Sequence, residues 1–344
     1  MGYKVAVFTG PGTLEVQEPA MPVPTGDMVL VKLLSCALCT LEQRIYKGAM
    51  PYYPYAGGHE AAGVVESCGE RVTMLSPGDK VTLRLLTSCG QCYYCRSGHE
   101  NQCVTSFKAS NHAGLNGPGG LADYMLVDAR QVYKVSPDLD IDCAALAEPL
   151  ACCVHSVGKG QIGLGDDVVV LGAGIMGMFH VMLAKRKGAR VIVCEVDAAR
   201  LEKAKGLGAD VVVNPSECDP VEKVKELTEG RGANVVFCTV ALPALAAQAI
   251  DMVGKLGRVV MYTSFHPKDP IELNEDRVHY SEIRITGSVN PDMRDFHTAV
   301  RLLSLGIIDA EPLISERVPF EKLDYAFEQS IKPGMYRVVV THGR

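Results

Sequence analysis

The sequence predicts an α/β protein in which a doubly wound parallel sheet is inserted into a glycine-rich, mainly antiparallel β domain. Three observations carry that prediction. The chain has 344 residues, and single hydrophobic cores stop growing at about 250–300 residues, so two domains are expected. Near Asp166 the texture changes from short strands punctuated by Gly and Pro to continuous apolar strands alternating with helical patterns. Strands apolar along their whole length belong to a parallel sheet covered on both faces. Beyond Asn290 one helix leads to a terminal strand with no further crossover, which returns the tail to the first domain. The expected domains are therefore residues 1–150 with 290–344, and residues 151–289.

Within the first domain, apolar and β-branched runs bounded by Gly and Pro predict strands at 4–8, 28–34, 63–68, 80–85 and 124–127. Within the second, strands are expected at 167–171, 190–195, 209–213, 235–238, 257–263 and 284–287. Helical periodicity places crossovers at 176–187, 198–207, 220–228 and 244–252. Six strands with helical crossovers is the count of a doubly wound dinucleotide fold. The tail contributes a helix at 295–305 and a strand at 336–341.

Composition removes several classes of function. A net charge of −6 argues against nucleic acid as a partner, because a phosphate-backbone binder needs a basic face. No run approaches the roughly 20 apolar residues of a membrane helix, and the apolar start is too brief for a secretory leader. A cytoplasmic protein with no membrane partner is expected. Thirteen cysteines without a secretory leader point to metal ligation rather than to a disulfide framework.

Two motifs give that chemistry a place. The strand Val168-Val169-Val170-Leu171 runs into Gly172-Ala173-Gly174-Ile175-Met176-Gly177 and then directly into a helix. In GxGxxG the first glycine allows a tight turn, the second lets backbone approach a pyrophosphate, and the third lets helix pack on strand. The helix start offers free N–H groups to the phosphates. Glu195 ends the next strand 18 residues after Gly177, where a carboxylate accepts from ribose hydroxyls and repels a 2′-phosphate, favouring NAD over NADP. Asp197 is a rival for that role, although its position suits a helix N-cap. Upstream, Cys89, Cys92, Cys95 and Cys103 form CxxCxxCx7C in a polar loop. Four thiolates at this spacing close a tetrahedron around zinc and leave no position for substrate, so the site is structural.

Gly57-Gly58-His59-Glu60-Ala61-Ala62-Gly63, preceded by Cys39 and followed by Ala147-Glu148-Pro149-Leu150, resembles the zinc-dependent medium-chain alcohol dehydrogenases. The resemblance runs over essentially the whole chain, and Glu-Pro-Leu looks like the polyol (sorbitol) and threonine dehydrogenase branch. It implies a GroES-like catalytic domain, a Rossmann domain for NAD and two zinc ions per chain. It also implies a catalytic zinc held by Cys39, His59 and Glu148, with Glu60 a neighbouring or exchanging ligand. Cys152 and Cys153 stand close enough in sequence to compete with Glu148. Where the family carries Ser or Thr and then His after the first ligand, this chain has Leu41 and Arg44. Thr40 is therefore the candidate for proton relay, with Glu60, Glu148 or water as alternatives and an ordinary helix cap as its other reading. By position, Arg200, Thr239, Val240, Thr263, Ser264, Ser288, Val289 and Asn290 resemble the segments that line the cofactor. The implied activity is reversible oxidation of a secondary alcohol on a small polar polyol, cyclitol or sugar-derived substrate, by a homodimer or homotetramer joined along 284–289. Oxidation of a hydroxy amino acid, as by threonine dehydrogenases, and a non-enzymatic NAD-binding protein with only the structural zinc are the alternatives.

Overall fold

The computed structural model describes residues 2–105, 111–264 and 268–343. They form two compact units, Met1–Ala151 with Asp292–Arg344, and Cys152–Pro291.

The second unit is a six-stranded parallel sheet with spatial order Val211–Val213, Arg190–Cys194, Asp167–Leu171, Ala233–Cys238, Val253–Met261, Arg284–Gly287. The order reverses at Asp167–Leu171, and in such sheets ligands bind outside the carboxyl ends of the strands at that reversal. Val168, Val169 and Val170 are wholly buried, as expected of a central strand covered on both faces. Ile175–Arg186 is the crossover helix that follows the glycine loop. Ala198–Gly206 and Pro220–Leu227 follow, capped by the side chains of Asp197 and Asp219.

The fifth strand begins four residues before the expected 257, because Leu256 takes a left-handed φ of 61° and a register shift lets the pairing with Ala233 resume. An extra helix, Glu275–Ser281, has no apolar stripe in sequence, and none of its residues is buried. No helix among the described residues is long and apolar enough to cross a membrane.

The first unit is built on a mainly antiparallel seven-stranded sheet. Its spatial order is Ile314–Pro319, Arg337–Thr341, Met28–Ala37, Glu60–Cys68, Lys80–Arg84, Val132–Lys134, with Tyr124–Asp128 also paired to Met28–Ala37. The core beneath it includes Phe8, Val31, Leu33, Leu38, Ile45, Leu83, Leu121 and Phe327, all fully buried. The tail strand Arg337–Thr341 pairs with Met28–Ala37 through Val339↔Ala37 and Val340↔Cys36, so the end of the chain is built into the sheet that carries the site.

Glu60–Cys68 starts three residues ahead of the expected 63, since Glu60, Ala61 and Ala62 pair with Ala37, Cys36 and Ser35. Strands at Thr13–Gln17 and Ile314–Pro319 were not expected: both are polar and largely exposed, so no apolar run marks them.

Candidate active site

Cys39 lies two residues after the strand Met28–Ala37 and is the N-cap residue of the helix Thr40–Tyr46, with an extended φ/ψ of −77°/160° and no side-chain cap bond. Its sulfur is thereby free for other use. Thr40 is the first helical residue and is exposed, so the reading of Thr40 as the cap residue does not hold. His59 ends the Gly57-Gly58 turn, where Gly58 has φ +93° and an added Cβ would come within 2.6 Å of the Leu121 backbone nitrogen. Only glycine fits that approach, and it brings the imidazole to Cys39.

The ligand atoms of Cys39, His59 and Glu60 all lie within 4.8 Å of one another. His59 and Glu60 are 8% and 0% exposed. A half-buried sulfur beside a buried imidazole nitrogen and carboxylate oxygen matches the mixed ligand set of a zinc site with an open position, so these residues fit the metal.

Two neighbours complete the group. Glu42, wholly buried, accepts from His59 Nδ1 at 2.8 Å and from the Gly58 N–H at 3.0 Å. That bond commits Nδ1 and leaves Nε2 as the ligand atom, the usual arrangement of a metal-binding histidine. Burial opposes charge on Glu42, but the His59 ring and the Gly58 N–H outweigh it and hold the carboxyl below its ordinary range. Burial likewise opposes an imidazolium, yet Glu42 and Cys39 raise His59 well above its ordinary value. Arg337 from the tail strand holds both oxygens of Glu60, Nε to Oε2 at 2.9 Å and Nη2 to Oε1 at 2.7 Å. Sequence reasoning missed both residues. Nothing in the sequence singles out Glu42, and Arg337 is one charge inside the strand expected at 336–341.

Glu148 is buried on the helix Ala147–Gly160, and its charge acts on Arg337. Its carboxylate is not part of the Cys39–His59–Glu60 group. Cys152 and Cys153 open the second unit, and the Cys153 sulfur donates to the Met176 carbonyl at 3.5 Å. Leu41 packs against the apolar core.

The sulfurs of Cys89, Cys92, Cys95 and Cys103 also lie within 4.8 Å of one another. Backbone N–H groups point at them: Cys89 donates to Cys103 Sγ at 3.3 Å, and Cys92 to Cys89 Sγ at 3.3 Å. Hydrogen bonds from the Thr105 hydroxyl and from backbone lower the Cys103 thiol to about 6. Four converging sulfurs with anion-stabilising donors fit a closed zinc site. A third acidic and thiol group, Asp140, Cys143 and Glu311, already holds a cation: Arg317 bonds Asp142 and Glu311, each at 2.6 Å.

In the second unit, Gly172 takes φ +94°, and a Cβ there would strike Val240 Cγ2 at 2.4 Å. A Cβ on Gly177 would lie 2.0 Å from the Gly172 carbonyl oxygen, whereas one on Gly174 would meet nothing within 4 Å. The outer two glycines are thus required by packing and the middle one faces open space, the arrangement that admits a pyrophosphate. Ile175 and Met176 open the helix behind this loop.

Glu195 accepts from the Ala173 N–H at 2.9 Å and from Val196 and Asp197 N–H at 2.8 and 3.1 Å, so the acid is joined to the glycine loop. Asp197 accepts from the Arg200 N–H and is a helix cap. Arg200 lies on the first turn of that helix, half-buried. Thr239 hydrogen-bonds the Leu171 carbonyl through its hydroxyl at 2.7 Å, which sets Thr239 and Val240 against Gly172. Thr263 and Ser264 follow the fifth strand, and Ser288, Val289 and Asn290 the sixth, with the Ser288 N–H bonded to the Met261 carbonyl.

Comparison with known proteins points the same way. Residues 176–304 match the family described as zinc-binding dehydrogenase, and residues 25–137 the alcohol dehydrogenase GroES-like domain. The chain is 34% identical to a sorbitol dehydrogenase of Halalkalibacterium halodurans over 94% of each chain. It is 32% identical to an L-threonine 3-dehydrogenase of Pyrococcus horikoshii over 91% of each. Among solved structures it is similar to a zinc-binding dehydrogenase from Sinorhizobium meliloti bound to NADP, with a TM-score of 0.90, 28% identity and 99% of each chain covered.

Proposed function

Because this chain belongs to the zinc-dependent medium-chain alcohol dehydrogenases, in the branch of the polyol and threonine dehydrogenases, we propose that it oxidises a secondary alcohol of a polyol, cyclitol or sugar-derived substrate to a ketone, reversibly and with NAD. The observation that carries this reading is the convergence of half-buried Cys39 with buried His59 and Glu60. When bound, zinc supplies Lewis acidity toward the alcohol oxygen and NAD accepts the hydride.

The chain's own residues do the rest. Cys39 and His59 hold the metal, and Glu42 fixes the His59 tautomer through Nδ1. Arg337 keeps Glu60 aimed at the group. Glu148, in the same unit and charge-coupled to Arg337, is the remaining candidate ligand. Cys89, Cys92, Cys95 and Cys103 hold the second, structural zinc. The glycine loop binds the pyrophosphate, and Glu195 favours NAD by opposing a 2′-phosphate. Arg200, Thr239, Val240, Thr263, Ser264, Ser288, Val289 and Asn290 line the cofactor. Thr40 is exposed beside Cys39 and free to pass a proton to water. The homodimer or homotetramer would form along Arg284–Gly287, the outermost strand of its sheet, where Ile285 is 38% exposed.

The test is NADH formation across polyols, cyclitols, sugar acids and hydroxy amino acids, with and without a zinc chelator. Chelator-sensitive turnover of a polyol or cyclitol is expected. Strong turnover of threonine with none of polyols would replace the substrate class and keep the mechanism.

A further inference from the structure

The strand Lys80–Arg84 ends on an arginine paired with Glu60 across the ladder, and the chain then runs through Thr87 into the four-cysteine loop. Arg84 is 5% exposed. A guanidinium carries five N–H donors in a rigid fork, yet that of Arg84 makes no hydrogen bond among the described residues. Its charged neighbour is Glu100, with Nη2 to Oε2 at 3.6 Å. The Arg84 Nε is shielded from solvent and unpartnered, and so is the Thr87 hydroxyl. Buried polar groups are almost always matched, so two unmatched ones on one short segment call for an explanation.

Both side chains line a cavity of about 690 Å³ within the first unit, whose wall also includes Cys89, Cys95, Glu100 and Met293. The carboxylates around it are already bonded. Glu100 accepts from the Met293 N–H at 2.6 Å on Oε1 and from the Ser88 hydroxyl at 3.1 Å on Oε2. Asp128 holds the Arg130 guanidinium at 2.8 and 2.7 Å. Asp292 holds Arg294 at 3.1 Å and caps the helix Met293–Ser304 through the Arg294 and Asp295 N–H groups. The rim arginines and the helix end are therefore satisfied without a ligand, and what the cavity leaves unmet is the donor fork of Arg84 and one hydroxyl.

Water answers that need poorly, because each molecule brings two protons of its own to a wall whose carboxylates are in use. A water's share of volume is about 30 Å³, so the cavity also has room for a polyatomic group. An oxyanion is acceptor-only, has several lone pairs, and takes two parallel N–H groups of a guanidinium at once. We infer that this cavity is a binding site for a small oxyanion, inorganic phosphate being its simplest form, held by the Arg84 fork and the Thr87 hydroxyl. Its occupancy ties the four-cysteine loop to the strand Lys80–Arg84. The inference stands apart from the alcohol chemistry proposed above.

The experiment titrates inorganic phosphate calorimetrically into the zinc-loaded protein saturated with NADH, at constant ionic strength against chloride. NADH fills the glycine loop, the other place where a phosphate would settle. Wild type should take up a single phosphate per chain, saturably, with a thermal midpoint that rises and levels off with the binding curve. Thr87→Val keeps the side-chain shape and removes a hydroxyl that no residue uses, so it should melt as wild type does and bind phosphate about tenfold more weakly. Arg84→Met should show no saturable uptake. Phosphate excluded from the protein surface also stabilises, without binding; that effect would appear as a midpoint that climbs without levelling, alike in all three proteins. Such a climb alone, no saturable heat in wild type, or equal affinity in wild type and both variants overturns the inference. If Arg84→Met folds poorly, the affinity of Thr87→Val against wild type decides it.

Discussion

Gly174→Ala and Gly177→Ala are the same chemical change three residues apart, and the structure assigns them opposite consequences. Gly174 has φ −71° and ψ −179°, a backbone any residue adopts, and its added methyl meets nothing within 4 Å. Replacing glycine at such a position stabilises by about 0.4–1 kcal/mol through the unfolded chain, a rise of about 1–4 °C in a protein of this class. The methyl would occupy the space through which backbone reaches the pyrophosphate. Loss of one hydrogen bond to a charged group costs about 1.5–3 kcal/mol, so NADH should bind about 10- to 100-fold more weakly. At Gly177 the methyl would lie 2.0 Å from the Gly172 oxygen and 3.0 Å from its carbon. Both are backbone atoms that cannot swing aside, and overpacking of this kind costs about 1–3 kcal/mol or more. Thermal melts and NADH fluorescence titrations on the two variants separate these effects. Gly174→Ala should melt at or above wild type yet bind NADH poorly, whereas Gly177→Ala should melt several degrees lower. A Gly174→Ala protein that binds NADH as wild type does would show that the open space at Gly174 is not where the pyrophosphate approaches.

Two further predictions concern buried charge. His180, wholly buried between the Met176 carbonyl at 2.7 Å and the Ser156 hydroxyl at 2.8 Å, is lowered by burial from 6.5 to about 4, and burial lowers His112 equally to about 4. Because the unfolded chain takes up these protons first, the stabilisation is complete above pH 6.5 and is lost as pH falls toward 4, by up to about 3 kcal/mol per histidine. Urea unfolding midpoints should fall across that window, and His180→Asn should flatten the fall; a flat profile in wild type contradicts the account. Arg337→Met leaves Glu60 buried and unpaired, which should cost about 3–5 kcal/mol, while adding Glu60→Gln should recover part of the loss; equal stability of the single and double variants in urea would show that the pair is not coupled.

What the sequence disclosed follows from how local each signal is. The four cysteines sit within 15 residues, and the glycine loop, strand and acid within 28, so spacing alone carries their geometry. Glu60 and its partner Arg337 are 277 residues apart, and nothing in an isolated arginine at the start of an apolar strand names its partner. Glu42 is closer, 17 residues from His59, but the Gly57-Gly58 turn that brings them together is a tertiary feature. Thr40 shows the limit of capping rules: the residue type suits an N-cap, yet the helix begins one residue earlier because the sheet strand hands the chain over at Cys39. The polar edge strand Ile314–Pro319 escaped notice since one-sided burial leaves too few apolar positions to register.

Two separate groups of side chains are proposed to hold two zinc ions with different work, and a count of metal per chain distinguishes them. Zinc per chain would be measured in wild type, Cys39→Ala and Cys95→Ser, alongside polyol-dependent NADH formation and NADH binding. About two ions are expected in wild type and about one in each variant. Cys39→Ala should keep NADH binding and its melting temperature but lose turnover, whereas Cys95→Ser should lose thermal stability first. One zinc in the wild type, or full turnover by Cys39→Ala, would contradict the account.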